Sequence, residues 1–180
     1  MVYGSLNKIN FPTKAGMMQI LFNKRGIYSL TLPGAAADSK LFRDGTEYSH
    51  IIAADFPWPG FLHDLQSYFN GVVVDFSAYP LDLNGYSPFA LRVLMKTRTI
   101  AYGCLQTYGS LARDLGIPGG ARAVGQALGR NRHLIVVPCH RIVSSNGGLG
   151  GFSSGLHWKK FLLSLEKSLG NILRHETTSG

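Results

Sequence analysis

A turn signal at residues 83–86, Leu-Asn-Gly-Tyr, restricts the fold of this 180-residue chain because it divides the chain near its middle. The charge changes at the same point. Residues 1–85 carry six Lys and Arg against seven Asp and Glu, whereas residues 86–180 carry twelve against three, a net charge of +9. Together these features predict an α+β domain over 1–85, a mainly helical domain over 86–174 and a disordered tail over 175–180.

The first half has the pattern of a small α+β unit. Apolar runs at 17–22 and 27–32, separated by a polar stretch that ends at Gly26, predict a β-hairpin. The apolar spacing predicts a helix over 61–69, and a Val-rich run predicts a strand over 72–76. None of these segments carries a recognisable chemistry.

The second half is predicted to be helical, interrupted by an apolar run at 134–137 and a Gly-rich segment at 147–155. Ser87 is placed to cap a helix that has Pro88 in its first turn. Thr107 is placed to cap a second helix.

That second helix is predicted to end at Gly116, and its inward positions are Leu111, Ala112 and Leu115. A four-residue turn then leads to another short helix over 121–128. This spacing fits a helix-turn-helix unit, although any helical hairpin gives a similar pattern.

The helix over 121–128 has small side chains and basic neighbours. Gly125 inside a helix costs up to ~1 kcal/mol relative to Ala, so we expect another surface to approach this backbone closely. A neighbouring helix would explain the approach, and so would a DNA groove, which the positive charge favours. The small residues are Ala121, Ala123, Gly125 and Ala127, and the basic residues are Arg122, Arg130 and Arg132.

Pro138-Cys139-His140-Arg141 directly follows the apolar run. A thiol attacks as its thiolate, and a free pKa of about 8.5 leaves it mostly protonated near neutral pH, so a reactive Cys139 needs a neighbouring base or cation. His140 and Arg141 are the local candidates. These residues alone fit an inert pair equally well. A metal site is less favoured because no further Cys or His lies at ligand spacing.

Glu166 lies beside the apolar face of a predicted C-terminal helix. A buried carboxylate needs a partner, and His140 would suit because a carboxylate orients an imidazole. An exposed Glu166 on the flank of the helix fits the sequence equally well. The apolar face consists of Trp158, Phe161, Leu162, Leu165 and Leu169.

The chain has two cysteines, Cys104 and Cys139, too few for a disulfide framework or a Cys-rich zinc site. We expect Cys104 to be buried and unreactive, and we expect neither a metal nor a cofactor. No apolar stretch has the length of a membrane span and no signal-peptide pattern is present, so a cytoplasmic location is expected, or a nuclear one in a eukaryote.

In these residues the chain resembles the methylated-DNA–protein-cysteine methyltransferases, also called 6-O-alkylguanine-DNA alkyltransferases. The resemblance covers roughly residues 87–167, and the first half matches only in length and layout. The matching residues are Tyr108 in a Thr-Tyr-Gly-Ser-Leu-Ala segment, Arg-Ala-Val-Gly at 122–125, Asn131, Ile-Val-Val-Pro-Cys-His-Arg-Ile-Val at 135–143, Gly-Gly-Phe-Ser-Ser-Gly-Leu at 150–156, and Glu166.

The resemblance implies a fold and a reaction. The fold is an α+β N-terminal domain followed by a helical domain with a helix-turn-helix, winged-helix-like DNA-binding unit. The reaction is the repair of alkylated guanine in double-stranded DNA by irreversible transfer of the alkyl group to Cys139, once per molecule. It needs no cofactor, membrane or obligate protein partner, so the protein is expected to act as a monomer.

The resemblance also implies roles for the side chains around the acceptor. His140 would take the proton of Cys139 through a water, and Glu166 would hold the required tautomer of His140. Asn131 would brace the turn that carries the cysteine. Tyr108 would contact the extruded base and supply a proton to the departing guanine.

A further group is implied to contact the DNA and the base. Arg122 would enter the base stack after the damaged nucleotide is extruded, and small side chains would allow a close approach in the minor groove. Phe152 stands where some relatives have Tyr. The DNA-contacting residues are Arg122, Ala121, Ala123, Gly125 and Tyr108, and the guanine-pocket residues are Ile142, Phe152 and Ser153.

Two other functions remain open from the sequence. A non-enzymatic protein that binds alkylated guanine would lack the acceptor cysteine, whereas Cys139 is present. A helix-turn-helix transcription regulator would explain the charge asymmetry but neither the 138–141 motif nor Glu166.

Overall fold

A computed structural model describes residues 6–34, 48–50 and 52–167. The chain divides into two compact units: Met1–Asn84 with Arg132–Leu134, and Gly85–Asn131 with Ile135–Gly180. One boundary falls inside the 83–86 turn, and a three-residue segment of the second half belongs to the first unit. The domain limits 1–85 and 86–174 remain predictions, and the tail at 175–180 lies outside the described residues.

The first unit contains a four-stranded sheet in the order β3-β2-β1-β4. Strand β1 (Leu6–Thr13) pairs antiparallel with β2 (Gly16–Asn23), and β2 pairs antiparallel with β3 (Gly26–Thr31). Strand β4 (Tyr48–His50) runs parallel to β1. The predicted hairpin between residues 17–22 and 27–32 is confirmed.

Helix α1 (Pro59–Phe69) follows a short 3-10 turn, Ala53–Asp55, and confirms the helix predicted over 61–69. The strand predicted over 72–76 is wrong. Val72 and Val73 are 52% and 71% exposed, and the segment is irregular. The apolar run therefore reflects composition, since Val72 and Val73 gain no burial that would favour strand pairing.

Residues 132–134 are fixed within the first unit by side-chain hydrogen bonds to backbone carbonyl groups. The Arg132 guanidinium donates to the carbonyl oxygens of Tyr28 at 2.9 Å and of Asp82 and Asn84 at 2.7 Å. The His133 ring nitrogen Nε2 lies 3.1 Å from the Ile27 carbonyl oxygen. Burial lowers the pKa of His133 to about 3, so this imidazole is neutral.

The second unit begins with α2 (Pro88–Arg98), in which Ser87 accepts a hydrogen bond from the Ala90 amide as predicted. A two-stranded parallel sheet joins β5 (Gln106–Thr107) to β6 (Ile142–Val143). This pairing brings the start of the next helix beside the segment that follows Cys139.

The predicted helix-turn-helix is confirmed by α3 (Tyr108–Asp114) and α4 (Ala121–Leu128). Thr107 caps α3 by accepting a hydrogen bond from the Ser110 amide at 3.0 Å. Gly116, where the first helix was predicted to end, has φ +73°, a conformation that Gly adopts readily. The two helices bury Leu111, Ala112 and Val124 completely.

Helix α5 (Leu156–Leu165) is rotated relative to the predicted apolar face. Trp158, Leu162 and Leu163 are buried, whereas Phe161 is 41% exposed and its predicted burial is wrong. Lys159 is fully buried in its place. Leu169 lies outside the described residues. None of the helices in the described part of the chain is long and apolar enough to cross a membrane.

Candidate active site

Cys139 begins a buried 3-10 turn, Cys139–Arg141, after the apolar run. In that run Ile135 has φ +73°, which a β-branched residue adopts only when its surroundings enforce it. Asn131 Nδ2 donates to the Val137 carbonyl oxygen at 2.9 Å and to Cys139 Sγ at 3.1 Å. One amide group therefore fixes both the turn and the sulfur.

The Cys139 thiol is subject to opposing influences. Burial raises its pKa, whereas the Asn131 hydrogen bond, the charge of Lys159 and the backbone amide of His140 favour the thiolate. Burial prevails, so the pKa of Cys139 is above its ordinary value in this state. The thiol is consequently protonated at neutral pH.

Glu166 is buried and accepts hydrogen bonds from three groups, which decides between the alternatives left open by the sequence. His140 Nε2 donates to Oε1 at 2.8 Å, and Arg141 donates from Nε and Nη2 to both carboxylate oxygens at 2.9 Å. The Gly103 amide donates to Oε2 at 3.1 Å. Although burial alone would raise it, these hydrogen bonds hold the pKa of Glu166 well below its ordinary value.

Burial lowers the pKa of His140 despite the adjacent carboxylate, so His140 is neutral at neutral pH. Because Nε2 donates to Glu166, that nitrogen carries the proton. Nδ1 is then the ring nitrogen with a lone pair that can accept a proton. The pair is arranged as a carboxylate-oriented base.

A cavity of about 500 Å³ opens onto Cys139. Tyr108 also borders the cavity, and its hydroxyl lies 3.4 Å from the Gly151 carbonyl oxygen. Burial raises the pKa of Tyr108, and the nearby charge of an ionised Cys139 raises it further. Arg122 is exposed at the cavity. The lining residues are Tyr108, Ala121, Arg122, Gly125, Gln126, Leu128, Gly129, Cys139, Ser144, Gly150, Gly151, Phe152 and Ser153.

Several known proteins are similar to this chain. A family model described as the DNA binding domain of 6-O-methylguanine DNA methyltransferase matches residues 88–168. A methylated-DNA–protein-cysteine methyltransferase of Metallosphaera sedula is 43% identical over 110 residues, which are 61% of this chain and 68% of that protein. A crystal structure of Mycobacterium tuberculosis OGT in complex with DNA aligns with a TM-score of 0.74 at 32% identity, covering 92% of this chain and 94% of that chain.

This chain belongs to the 6-O-methylguanine DNA methyltransferase family. The methylated-DNA–protein-cysteine methyltransferase of Mycobacterium tuberculosis strain H37Rv is 44% identical over 109 residues, 61% of this chain. The aligned stretch spans 65% of that relative's length.

In this family member, the residues singled out from the sequence lie in three places. Seven border the cavity: Tyr108, Ala121, Arg122, Gly125, Cys139, Phe152 and Ser153. Asn131, His140 and Glu166 form the buried network next to the sulfur. Ala123 and Ile142 do not line the cavity; Ala123 is half-buried on α4, and the Ile142 carbonyl accepts a hydrogen bond from Lys159.

Lys159 is a site residue that sequence reasoning missed. Its Nζ donates to the carbonyl oxygens of Ile142 and Gly151 and lies 5.8 Å from the centre of the Tyr108 ring. Burial lowers the pKa of Lys159 to about 8, although the nearby charge of an ionised Cys139 acts to raise it. One signal pointed to it: Lys159 and Glu166 are seven residues apart and therefore share a helical face.

The expected burial of Cys104 is wrong. Cys104 is exposed. It lies in a turn whose backbone hydrogen bond runs from the Cys104 amide to the Ala101 carbonyl oxygen at 3.1 Å. Across residues 6–34, 48–50 and 52–167, no group of three or more His, Cys, Asp or Glu side chains is arranged to hold a metal ion.

Proposed function

We propose that this protein removes alkyl groups from the 6-O position of guanine in double-stranded DNA by transferring them to its own Cys139. The observation that carries the proposal is the Cys139 sulfur at a cavity bordered by α4 of the helix-turn-helix unit. A volume of about 500 Å³ lies within the usual range of small-molecule sites and suits a single base.

The chemistry is a direct displacement at carbon. The Cys139 thiolate attacks the alkyl carbon, so that an S–C bond forms as the C–O bond to guanine breaks. The electron pair of the broken bond stays on the guanine, which takes a proton from the Tyr108 hydroxyl. The protein keeps a thioether that has no easy reverse reaction, so each molecule acts once and needs no cofactor.

Two groups assist the loss of the thiol proton. His140 accepts the proton through a water, using Nδ1, while Glu166 holds the opposite nitrogen. Lys159 supplies a positive charge that favours the thiolate. Asn131 keeps the sulfur in position as the charge develops.

DNA binding explains the composition of α4. A base inside a duplex offers no path for in-line attack by sulfur, so the nucleotide must be extruded into the cavity. Arg122, exposed at the cavity, replaces the extruded base in the stack. The small residues Ala121, Ala123 and Gly125 allow the helix backbone to approach the minor groove. Phe152, Ser153 and the backbone of Ile142 form the guanine pocket.

A cytoplasmic location is part of the proposal, because an acceptor thiol has to stay reduced until it meets damage. The mycobacterial relative crystallised with DNA and the family model for a DNA-binding domain support duplex DNA as the partner.

The stoichiometry of repair tests the proposal. A duplex containing one 6-O-methylguanine is incubated with limiting protein, and the restored guanine is counted. We expect the amount of product to reach, and not exceed, the amount of protein. Cys139→Ser should abolish product formation, whereas the matched control Cys104→Ser should retain it. Product in molar excess over protein would refute the single use of each molecule.

A further inference from the structure

Ser144 carries a cavity hydroxyl that the proposed mechanism does not use. It follows β6 directly, is half-buried and borders the cavity together with Cys139. Its backbone amide donates to the Gly148 carbonyl oxygen at 2.8 Å, which fixes the loop. Within the part of the chain that the structure describes, no hydrogen bond to Ser144 Oγ is found. The hydroxyl is therefore held at the cavity with its donor capacity available.

The position of Gly150 relates this hydroxyl to that of Tyr108. A Cβ atom added at Gly150 would lie 2.9 Å from the Tyr108 hydroxyl oxygen and 3.2 Å from Ser144 Oγ. The two oxygens are therefore separated by no more than the sum of these distances, 6.1 Å. A side chain at this position would clash with Tyr108, so Gly150 lets the two hydroxyls lie this close together, and both residues border the cavity. A planar ligand in the cavity can reach both.

We propose that Ser144 is a second hydroxyl contact to the extruded guanine and donates a hydrogen bond to an acceptor on the purine rim. The proposal rests on the proposed function, because it assigns this residue a role in that reaction. A purine has acceptors at N3, O6 and N7, so a donor beside Tyr108 has several possible partners.

The contact strengthens during the reaction. When the C–O bond breaks, negative charge spreads over the oxygen and the ring nitrogens of the leaving guanine. A fixed donor in a site screened from water stabilises that charge more than it stabilises the neutral base. Ser144 keeps its own proton throughout, and Tyr108 provides the proton that neutralises the product.

The choice of alkylating agent separates this role from a structural one. In a Cys104→Ser background, which removes the exposed thiol, iodoacetamide alkylates the same sulfur but releases iodide, which needs no hydrogen bond from the protein. Free 6-O-benzylguanine presents the purine leaving group without DNA, and a methylated duplex presents it with DNA. Rates with these three agents are measured for Ser144→Ala, for Ser144→Thr, which retains the hydroxyl, and for Ser145→Ala. Ser145 is exposed and does not line the cavity, so it is the matched control.

We expect Ser144→Ala to slow both guanine substrates by roughly 10-fold, the effect of losing one hydrogen bond to a developing anion, and to leave the iodoacetamide rate unchanged. Ser144→Thr should keep most of the wild-type rate, and Ser145→Ala all of it. Equal slowing with iodoacetamide would overturn the proposal, because Ser144 would then act on the thiol or on the fold. No slowing on either guanine substrate, or slowing on duplex DNA alone, would also overturn it. A wild-type protein that transfers no alkyl group from guanine would instead refute the proposed function.

Discussion

The positive charge of Lys159 stabilises the Cys139 thiolate and so lowers the pKa of the thiol. Its ammonium group is fully buried, and burial lowers its pKa to about 8. A buried charge is weakly screened by water, so its influence on a neighbouring thiolate is large. Protonated Lys159 therefore opposes the effect of burial on the thiol.

The first prediction concerns this charge. Lys159→Gln retains a hydrogen-bond donor for the Ile142 and Gly151 carbonyls but removes the positive charge. We expect the rate of Cys139 alkylation by iodoacetamide to reach its half-maximum about one pH unit higher than in wild type. Lys160→Gln, next in the chain and exposed, should leave the profile unchanged. Superimposable profiles for Lys159→Gln and wild type would show that this charge does not reach the sulfur.

Glu166 provides a second prediction at the residue scale. Glu166→Gln keeps the size of the side chain but removes the charge that compensates Arg141, itself buried. An uncompensated buried charge is strongly destabilising, so the free energy of unfolding in urea should fall by about 3 kcal/mol. An unchanged midpoint and slope would mean that Arg141 finds another partner.

Helix α4 is proposed to contact the minor groove and to insert Arg122 into the base stack. The third prediction is that Arg122→Ala slows repair of duplex DNA by roughly 100-fold, the equivalent of a few kcal/mol of stacking, and barely affects the reaction with free 6-O-benzylguanine. Arg130→Ala is the matched control, since Arg130 is exposed but not at the cavity. It should weaken DNA binding without a preferential loss of repair. Equal losses on both substrates for Arg122→Ala would contradict its role in the base stack.

Elements fixed by local signals could be predicted from the sequence. Ser87 and Thr107 were identified as caps because a cap needs only a side-chain oxygen and an amide a few residues away. The 72–76 run was misassigned because β propensity says nothing about whether a partner strand is present. The apolar spacing predicted a buried Phe161 on α5 and gave no role to Lys159, because spacing carries no information on the tertiary partners that bury Lys159.

Some residues of the candidate site could be predicted from the sequence, whereas others are brought together only by the fold. The motif around Cys139 is contiguous, and its likeness to a family supplied the remaining residues. The cavity is assembled from α3, α4 and the loop around Gly150, which are distant in sequence. Ser144 carries no pattern of its own, so its position at the cavity was visible only in three dimensions.

At the scale of the whole molecule, buried neutral histidines link stability to pH. Folded His133 has a pKa of about 3, against an ordinary value of 6.5. Between these values the unfolded chain binds the additional proton, so stability is fully present above pH 6.5 and is lost as the pH falls. Burial also lowers the pKa of His140, which therefore acts in the same direction.

The fourth prediction follows from this linkage. Between pH 7 and pH 5 the free energy of unfolding should fall by about 2 kcal/mol through His133 alone. His133→Gln retains a donor for the Ile27 carbonyl but cannot titrate, so its stability should decrease less over this range. The matched control His63→Gln, at an exposed position on α1, should follow the wild type. Equal slopes for His133→Gln and wild type in urea titrations would contradict the neutral buried state of His133.

The intact mass of the protein after incubation with duplex DNA containing 6-O-methylguanine tests the central claim most directly. The account predicts a gain of one methyl group per molecule, which peptide mapping locates on Cys139, and no gain in Cys139→Ala despite retained DNA binding. A methyl group on exposed Cys104 with Cys139 unmodified would contradict the account. Restored guanine with the protein mass unchanged would contradict it equally.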